Sequence, residues 1–200
     1  MDGIDWASSA MAAAQSRLDI ATGNLANVST DGFRAVVARG SLTAHGVSIG
    51  RTDSGAHGGL RHTGRDFDFA IVGDGVFRVQ DDAGHVTATR NGAFTRDRMG
   101  VLRDDAGRAV LGLRGVLRVP EGATIDASGR VLLGGRQIDC LVSGPHPMVR
   151  SGFIESANVN AIGEMVTVMT SQRSFESAQK VVTAIDGTRQ KSANEVARLK

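Results

Sequence analysis

Residues 24 to 33 read NLANVSTDGF, and they interrupt a regular amphipathic pattern. Upstream, Ile4, Met11, Leu18 and Leu25 recur every seven residues, and Ala7, Ala14, Ala21 and Val28 form a companion series. These are the a and d positions of a heptad helix, with Arg17 and Asp19 beside the apolar stripe but outside it. Alanine at d lets a partner helix come close. Past Leu25, Asn27 and Gly32 can take the left-handed backbone that ends a helix, and Ser29 and Thr30 can bond to local backbone groups. Phe33 then opens an extended run, FRAVVAR. The stretch predicts a helix stopped at a set length and a sharp redirection, with Asn24, Asn27, Gly32 and Phe33 as the stop.

The far end of the chain mirrors this pattern. Asn158 or Asn160 is placed to cap a second long helix. Val168, Phe175, Val182 and Val196 lie on one seven-residue series, with Ala178, Ile185 and Leu199 on its companion. Ser171, Arg189 and Ser192 interrupt that stripe, and Ile162, Met165 and Met169 are offset from it. An isolated helix of this kind is marginal in water. Both ends are therefore expected to order on assembly, their seams covered by sibling copies.

Glycine marks off the middle: residues 1–39 hold three, 40–152 hold twenty-one and 153–200 hold two. In DFDFAIVGDG, Phe67, Phe69 and Ile71 alternate with Asp66, Asp68 and Ala70, the period of a half-buried strand. Turn signals follow at 73–75, 81–84, 91–92, 97–100 and 104–107, which indicates short antiparallel strands in a sandwich-like or barrel-like body. Asn91-Gly92 reads as a hairpin turn. Residues 40 to 60 carry little pattern and are expected to form a flexible connection.

Two hundred residues suffice to bury a core. With 4% aromatics and no tyrosine, that core must rest on Val, Ile, Leu and Ala. The net charge of +2, with no Lys/Arg block, leaves no nucleic-acid footprint. A single cysteine, Cys140, excludes an internal disulfide and a multi-cysteine zinc site, and in QIDCLV it reads as a small buried hydrophobe. The acidic start, MDGIDW, is neither a cleavable leader nor a membrane span. The chain is thus expected to be cytosolic, or exported by a route that needs no such leader.

No catalytic constellation assembles from these residues. IVGDGVFR has the strand and Gly-x-Gly of a dinucleotide site, but Arg78 holds the sixth position and VFRVQ continues as a strand where a helix should begin. Asp66 and Asp68 read as the solvated face of a strand. His45, His57, His62, His85 and His146 lack metal-ligand spacing, and no Gly-x-Ser-x-Gly or phosphate loop occurs. The reading is no enzyme, no cofactor and no metal.

Three stretches, in order, carry a resemblance. ATGNLANVSTDGFRA (21–35) is similar to the signature of the bacterial flagellar axial proteins, the rod and hook family. TGRDFDFAIVGDGVFRV (63–79) with TRNGAFTRDRMGVLRDDAGRAVLG (89–112) resembles that family's central domain. GFIESANVNAIGEMVTVMTSQRSFESAQKVV (152–182) resembles its C-terminal signature, through Asn158, Asn160, Gln172, Arg173 and Glu176. Two departures stand out. Thr22-Gly23-Asn24 replaces the usual Ala-Asn-Asn, and the segment between Arg130 and Ser151 is short.

The resemblance implies an α+β chain: 1–32 an axial helix and turn, 33–60 an extended linker, 61–152 the β domain, and 153–200 a second axial helix. It implies that the terminal helices pair as a coiled coil, that copies stack around a central channel, and that the β domain forms an outer layer. The implied partners are other copies, other rod and hook proteins and the flagellar export apparatus, without membrane insertion. GFRA (32–35) and VPEGATIDASGRV (119–131) tilt the choice toward a proximal over a distal rod protein. Ile4, Met11, Leu18, Leu25, Val168, Phe175, Val182 and Ile185 would form the assembly interface, and Gln172, Arg173 and Glu176 would meet neighbours. The competing reading is a closed coiled-coil homo-oligomer that presents a β ligand-binding head.

Overall fold

Both heptad segments form helices. The computed structural model describes residues 3–43, 46–141 and 148–198, with the backbone only at 193 and 195–198. It carries α1 over Gly3–Ala26 and α2 over Ala161–Arg198. α2 starts at Asn160, whose Oδ1 accepts the Gly163 N–H at 3.2 Å and so satisfies one of the donors a first helical turn leaves open. Asn158 stays in the loop before it. Leu199, His45 and His146 lie outside the described residues.

Among the described residues, fifteen short strands lie between the helices. They are β1 (Val36–Thr43), β2 (Gly46–Asp53), β3 (Leu60–His62), β4 (Phe69–Val72) and β5 (Phe77–Gln80). Next come β6 (Val86–Thr89), β7 (Thr95–Arg96), β8 (Leu102–Arg103), β9 (Ala109–Gly112) and β10 (Gly115–Val116). The last five are β11 (Thr124–Ile125), β12 (Arg130–Leu133), β13 (Arg136–Cys140), β14 (Met148–Ser151) and β15 (Phe153–Glu155). The chain divides into two units. One comprises Met1–Val28, Ala35–Gly55 and Val159–Lys200; the other comprises Ser29–Arg34 and Ala56–Asn158.

In the helical unit α1 and α2 pack against each other. A Cβ on Gly3 would lie 3.3 Å from Ile185 Cδ1, and Asn24 Nδ2 donates to Glu164 Oε1 at 2.8 Å, so the helices run antiparallel. The seam of α1 is therefore met by α2 of the same chain. That corrects the expectation that only a sibling copy covers it. β1 and β2 form a hairpin in unbroken register from Val36↔Asp53 to Thr43↔Gly46, where the sequence suggested a flexible connection. The signal was weak because this hairpin half-buries only a few residues, Val47 and Ile49 among them on β2. Ser9 Oγ of α1 accepts the Val47 N–H at 3.4 Å, and a side chain on Gly46 would run into Ser9.

In the β unit every strand pair is antiparallel. One sheet has the order β6-β5-β9-β8-β7 with β10 on β9; β11-β12-β13, β14-β4 and β15-β3 form the others. Phe69, Phe77, Phe94, Leu102, Leu117 and Val131 meet in one core, where the Phe77 and Phe94 rings pack edge to face at 5.1 Å.

One turn is used four times. Asp81, Asp97, Asp104 and Asp126 each accept two backbone N–H groups on Oδ1, from the residues two and four positions on. The glycine three positions on has a left-handed φ of 90°, 78°, 79° and 75° in turn. Only glycine takes that conformation without strain.

Two further expectations are corrected here. Asn91-Gly92 closes no hairpin, because the flanking strands β6 and β7 stand at opposite edges of their sheet. Gly92 is required for a close approach instead: its carbonyl accepts the Phe69 N–H at 2.9 Å, and a Cβ would run into the Phe69 carbonyl. Asp68 does not lie on a solvated face. It is fully buried, and so is Ala70, because both faces of this segment are covered. The Arg65 guanidinium holds the Asp68 carboxylate with Nε–O distances of 3.0 and 2.9 Å.

Candidate assembly site

Along the helix pair, Ala7, Ala14 and Ala21 are buried while Ile4, Met11, Leu18 and Leu25 are half-buried. On α2, Val168, Phe175, Val182 and Ile185 are half-buried too, and Ser171, which breaks the apolar series in the sequence, is buried among them in the heptad. The backbones come close at alanine and the large side chains stay partly open. The only fully buried large side chain of the helical unit, among the described residues, is the amide of Asn24.

The opposite side of α2 is apolar as well. Ile162, Met165, Val166 and Met169 are 75%, 52%, 54% and 56% exposed. At 3.6 residues per turn they fall on one stripe, centred about 130° around the helix from Val168, Phe175 and Val182. Gln172, Arg173 and Glu176 continue the same stripe and are exposed. The sequence showed Ile162, Met165 and Met169 as an irregularity of one seam. They belong to a second one, which Val166 completes.

The helix stop is anchored rather than merely capped. Asn24 Oδ1 accepts the Val36 N–H at 2.8 Å, and its Nδ2 donates to the Val36 carbonyl at 2.9 Å as well as to Glu164. One buried amide thus joins the last turn of α1, the first residue of β1 and the first turn of α2. Asn27 bonds back to the Gly23 carbonyl at 2.9 Å and keeps a negative φ. Gly32 does take the left-handed conformation, with φ 71°.

Within the β unit, Gly32 lies against the TRNG stretch, where a Cβ would run into the Asn91 backbone nitrogen. Its N–H donates to the Glu155 carbonyl at 2.6 Å. The Glu155 side chain is 3% exposed and accepts Arg90 Nε at 2.6 Å, and Arg90 is 4% exposed. Arg90 also donates to the carbonyls of Gly73, Gly75 and Ile71 at 3.0, 2.8 and 3.0 Å. Such a pair tolerates burial because nearly every polar atom is satisfied. Sequence reading had the stretches that contain Arg90 and Glu155 but singled out neither residue. Their separation along the chain left no local signal.

Cys140 is buried, its Sγ 3.9 Å from the Ser128 carbonyl. Among the described residues no three His, Cys, Asp or Glu side chains are placed to hold a metal, and no helix is long and apolar enough to cross a membrane. The helical unit presents an open apolar face on α2, and the β unit has one hydrophobic core.

Comparison with known proteins gives the family. Residues 4–34 match the family described as flagella basal body rod protein, 70–133 the flagellar hook protein FlgE/F/G D1 domain, and 150–195 the flagellar basal body rod FlgEFG protein C-terminal region. The chain is 33% identical to the flagellar basal-body rod protein FlgF of Mesorhizobium japonicum, over 88% of this chain and 89% of the relative. It is 30% identical to FlgF of Escherichia coli K12 (88% and 92%) and 29% identical to the rod protein FlgG of Bacillus subtilis (90% and 93%). The chain belongs to the flagellar basal-body rod protein family. Its relatives are structural rod proteins of the basal body, not enzymes.

Proposed function

We propose that the protein is a structural segment of the rod, self-assembling helically through its two terminal helices, with the proximal position favoured over the distal. The helices act as a coiled coil, Ile4, Met11, Leu18 and Leu25 facing Val168, Phe175, Val182 and Ile185. The outer stripe of α2 docks on neighbouring copies and other rod or hook proteins. In the stack the helices line the export channel and the β unit forms the outer layer, so the subunit carries torque. It reaches the periplasmic part of the rod through the flagellar export apparatus.

The observation that supports this best is the second apolar stripe on α2. Four large side chains left in water are costly unless something covers them. Yet four side chains are far fewer than the roughly 20–30 residues a side of a stable interface. Such a surface leaves the free protein monomeric and is used when several neighbours bind together. A repeated heterologous contact of that kind grows as a filament.

The test is a doubly substituted full-length chain, Ile162→Asp with Met169→Asp. It should fold as the natural protein does and be absent from isolated basal bodies, with motility lost. Wild-type incorporation would refute the docking role. A purified natural protein with one fixed oligomeric mass would favour the closed coiled-coil oligomer.

A further inference from the structure

The segments 29–34 and 56–59 belong to the β unit without entering its core. Neither contributes a buried apolar side chain; Phe33 is half-buried and Ala56 exposed. Their attachments are polar and converge on residues 155–158. The Gly32 N–H donates to the Glu155 carbonyl, and the Gly58 N–H donates to Glu155 Oε1 at 3.0 Å. Asn158 reaches both segments: its N–H donates to the Phe33 carbonyl at 3.3 Å and its Nδ2 to the Ala56 carbonyl at 2.7 Å. The Ser156 N–H donates to the Gly59 carbonyl at 2.8 Å. The ion pair of Asp31 with Arg61, at 2.9 Å, is largely exposed and so weak.

Arg90 stands on the other side of this arrangement. Its guanidinium is fixed by the carbonyls of Ile71, Gly73 and Gly75, at the end of a core strand and its turn. Glu155 is the point at which the polar hub is tied to that fixed cation. Segments held by few apolar contacts open at a lower free energy than the core does. Their opening is then governed by the bond that fixes the hub.

We propose that Glu155 is a latch: its ion pair with Arg90 holds residues 29–34 and 56–59 in place, and loosening it frees both segments together while the hydrophobic core stays closed. The two move as one because they share the hub and touch each other, Arg34 Nη2 lying 3.5 Å from His57 Nδ1. Gly58 is the position where the fit is tightest, since a Cβ there would run into the Ser156 carbonyl.

The experiment is amide hydrogen exchange on the full chain with Glu155→Gln. Peptides covering 29–34 and 56–59 should exchange at least about tenfold faster, while those covering 69–80 and 101–119 stay within about twofold of the natural protein. No change in 29–34 and 56–59, or uniform acceleration across all four regions in a variant whose unfolding midpoint is unchanged, would overturn the latch. Glutamine leaves the Arg90 charge buried without a counter-charge, which can unfold the unit outright. The double variant Arg90→Met with Glu155→Leu removes both charges together. It should show the same segmental release over a protected core, and natural protection of 29–34 and 56–59 in it would equally overturn the proposal. Gly58→Ala, whose Cβ presses on the Ser156 carbonyl and the Glu155 side chain and so loosens the hub, should free the same two segments; release of residue 58 alone would show that they are not coupled.

Discussion

The two units bury side chains of different size. In the β unit Phe69, Phe77, Phe94, Leu102 and Leu117 are each 2% exposed or less. In the helical unit the most deeply buried side chains are Ala7, Ala13, Ala14, Ile20, Ala21, Asn24 and Ser171, while Ile162, Met165, Val166 and Met169 stand in solvent. The β unit gathers its largest apolar side chains into one core, though Met99, Leu113 and Met148 stay exposed. The helical unit brings backbones together and leaves large groups for something else to cover. Under the proposed function the two tasks are separate: the β unit supplies a buried core, and the helical unit keeps an apolar stripe for a neighbour.

Large-to-small substitution sharpens the contrast most. Phe77→Ala removes a fully buried ring and should cost about 3–5 kcal/mol in urea unfolding of the β unit. Leu18→Ala, at a half-buried position, should cost about 1–2 kcal/mol in the free chain. Leu18→Asp should abolish incorporation into the rod. The lone tryptophan, Trp6 on α1, is a fluorescence probe for the helical unit alone. Equal losses from Phe77→Ala and Leu18→Ala would erase the distinction between the units.

Next come the polar anchors. Asn24→Ala strands the Val36 N–H and carbonyl, and should destabilise the helical unit by about 1–3 kcal/mol, read from Trp6 fluorescence during unfolding. An effect below about 0.5 kcal/mol would mean that water replaces the amide without loss.

Acid should act on the β unit through its turns. The Asp81 carboxyl is held below its ordinary value chiefly by the His85 N–H, and the Asp97 carboxyl by the Val101 N–H. Burial alone would raise the Asp126 carboxyl, but its bonds from the Arg130 side chain and from the Arg130 and Ser128 N–H groups outweigh this and lower it. A depressed folded value means stability fully present above the unfolded carboxylate value, near about 4, and lost as pH falls through the folded value. The unfolding midpoint of the β unit should therefore drop below about pH 4, and Asp97→Asn should flatten that drop. An acid-independent midpoint would contradict this account of the turns. The smallest effect belongs to Gly23→Ala: a Cβ there meets nothing within 4 Å, so the helical unit should gain about 1 kcal/mol.

These contrasts explain what could be read from the sequence. The Ile4-to-Leu25 series gave α1 because a seam repeats along one chain segment, and the Asp-x-x-Gly turns were visible because their chemistry is local. The β1–β2 hairpin was invisible because its stability comes from main-chain pairing and from α1, not from an alternating pattern. Arg90 and Glu155 could not be paired from the sequence, since only the fold brings together residues 65 positions apart. The outer stripe was seen and misassigned, because a helix with two apolar faces looks like one irregular seam until its partner is placed.

In the proposed rod the outer face of α2 is covered, and in the free chain it is open. Cys140 is buried, so Met165→Cys introduces the one exposed thiol among the described residues. Thiol labelling of the full-length variant should be rapid in the free protein and blocked in intact isolated basal bodies that contain it. Equal labelling in both would contradict the central claim.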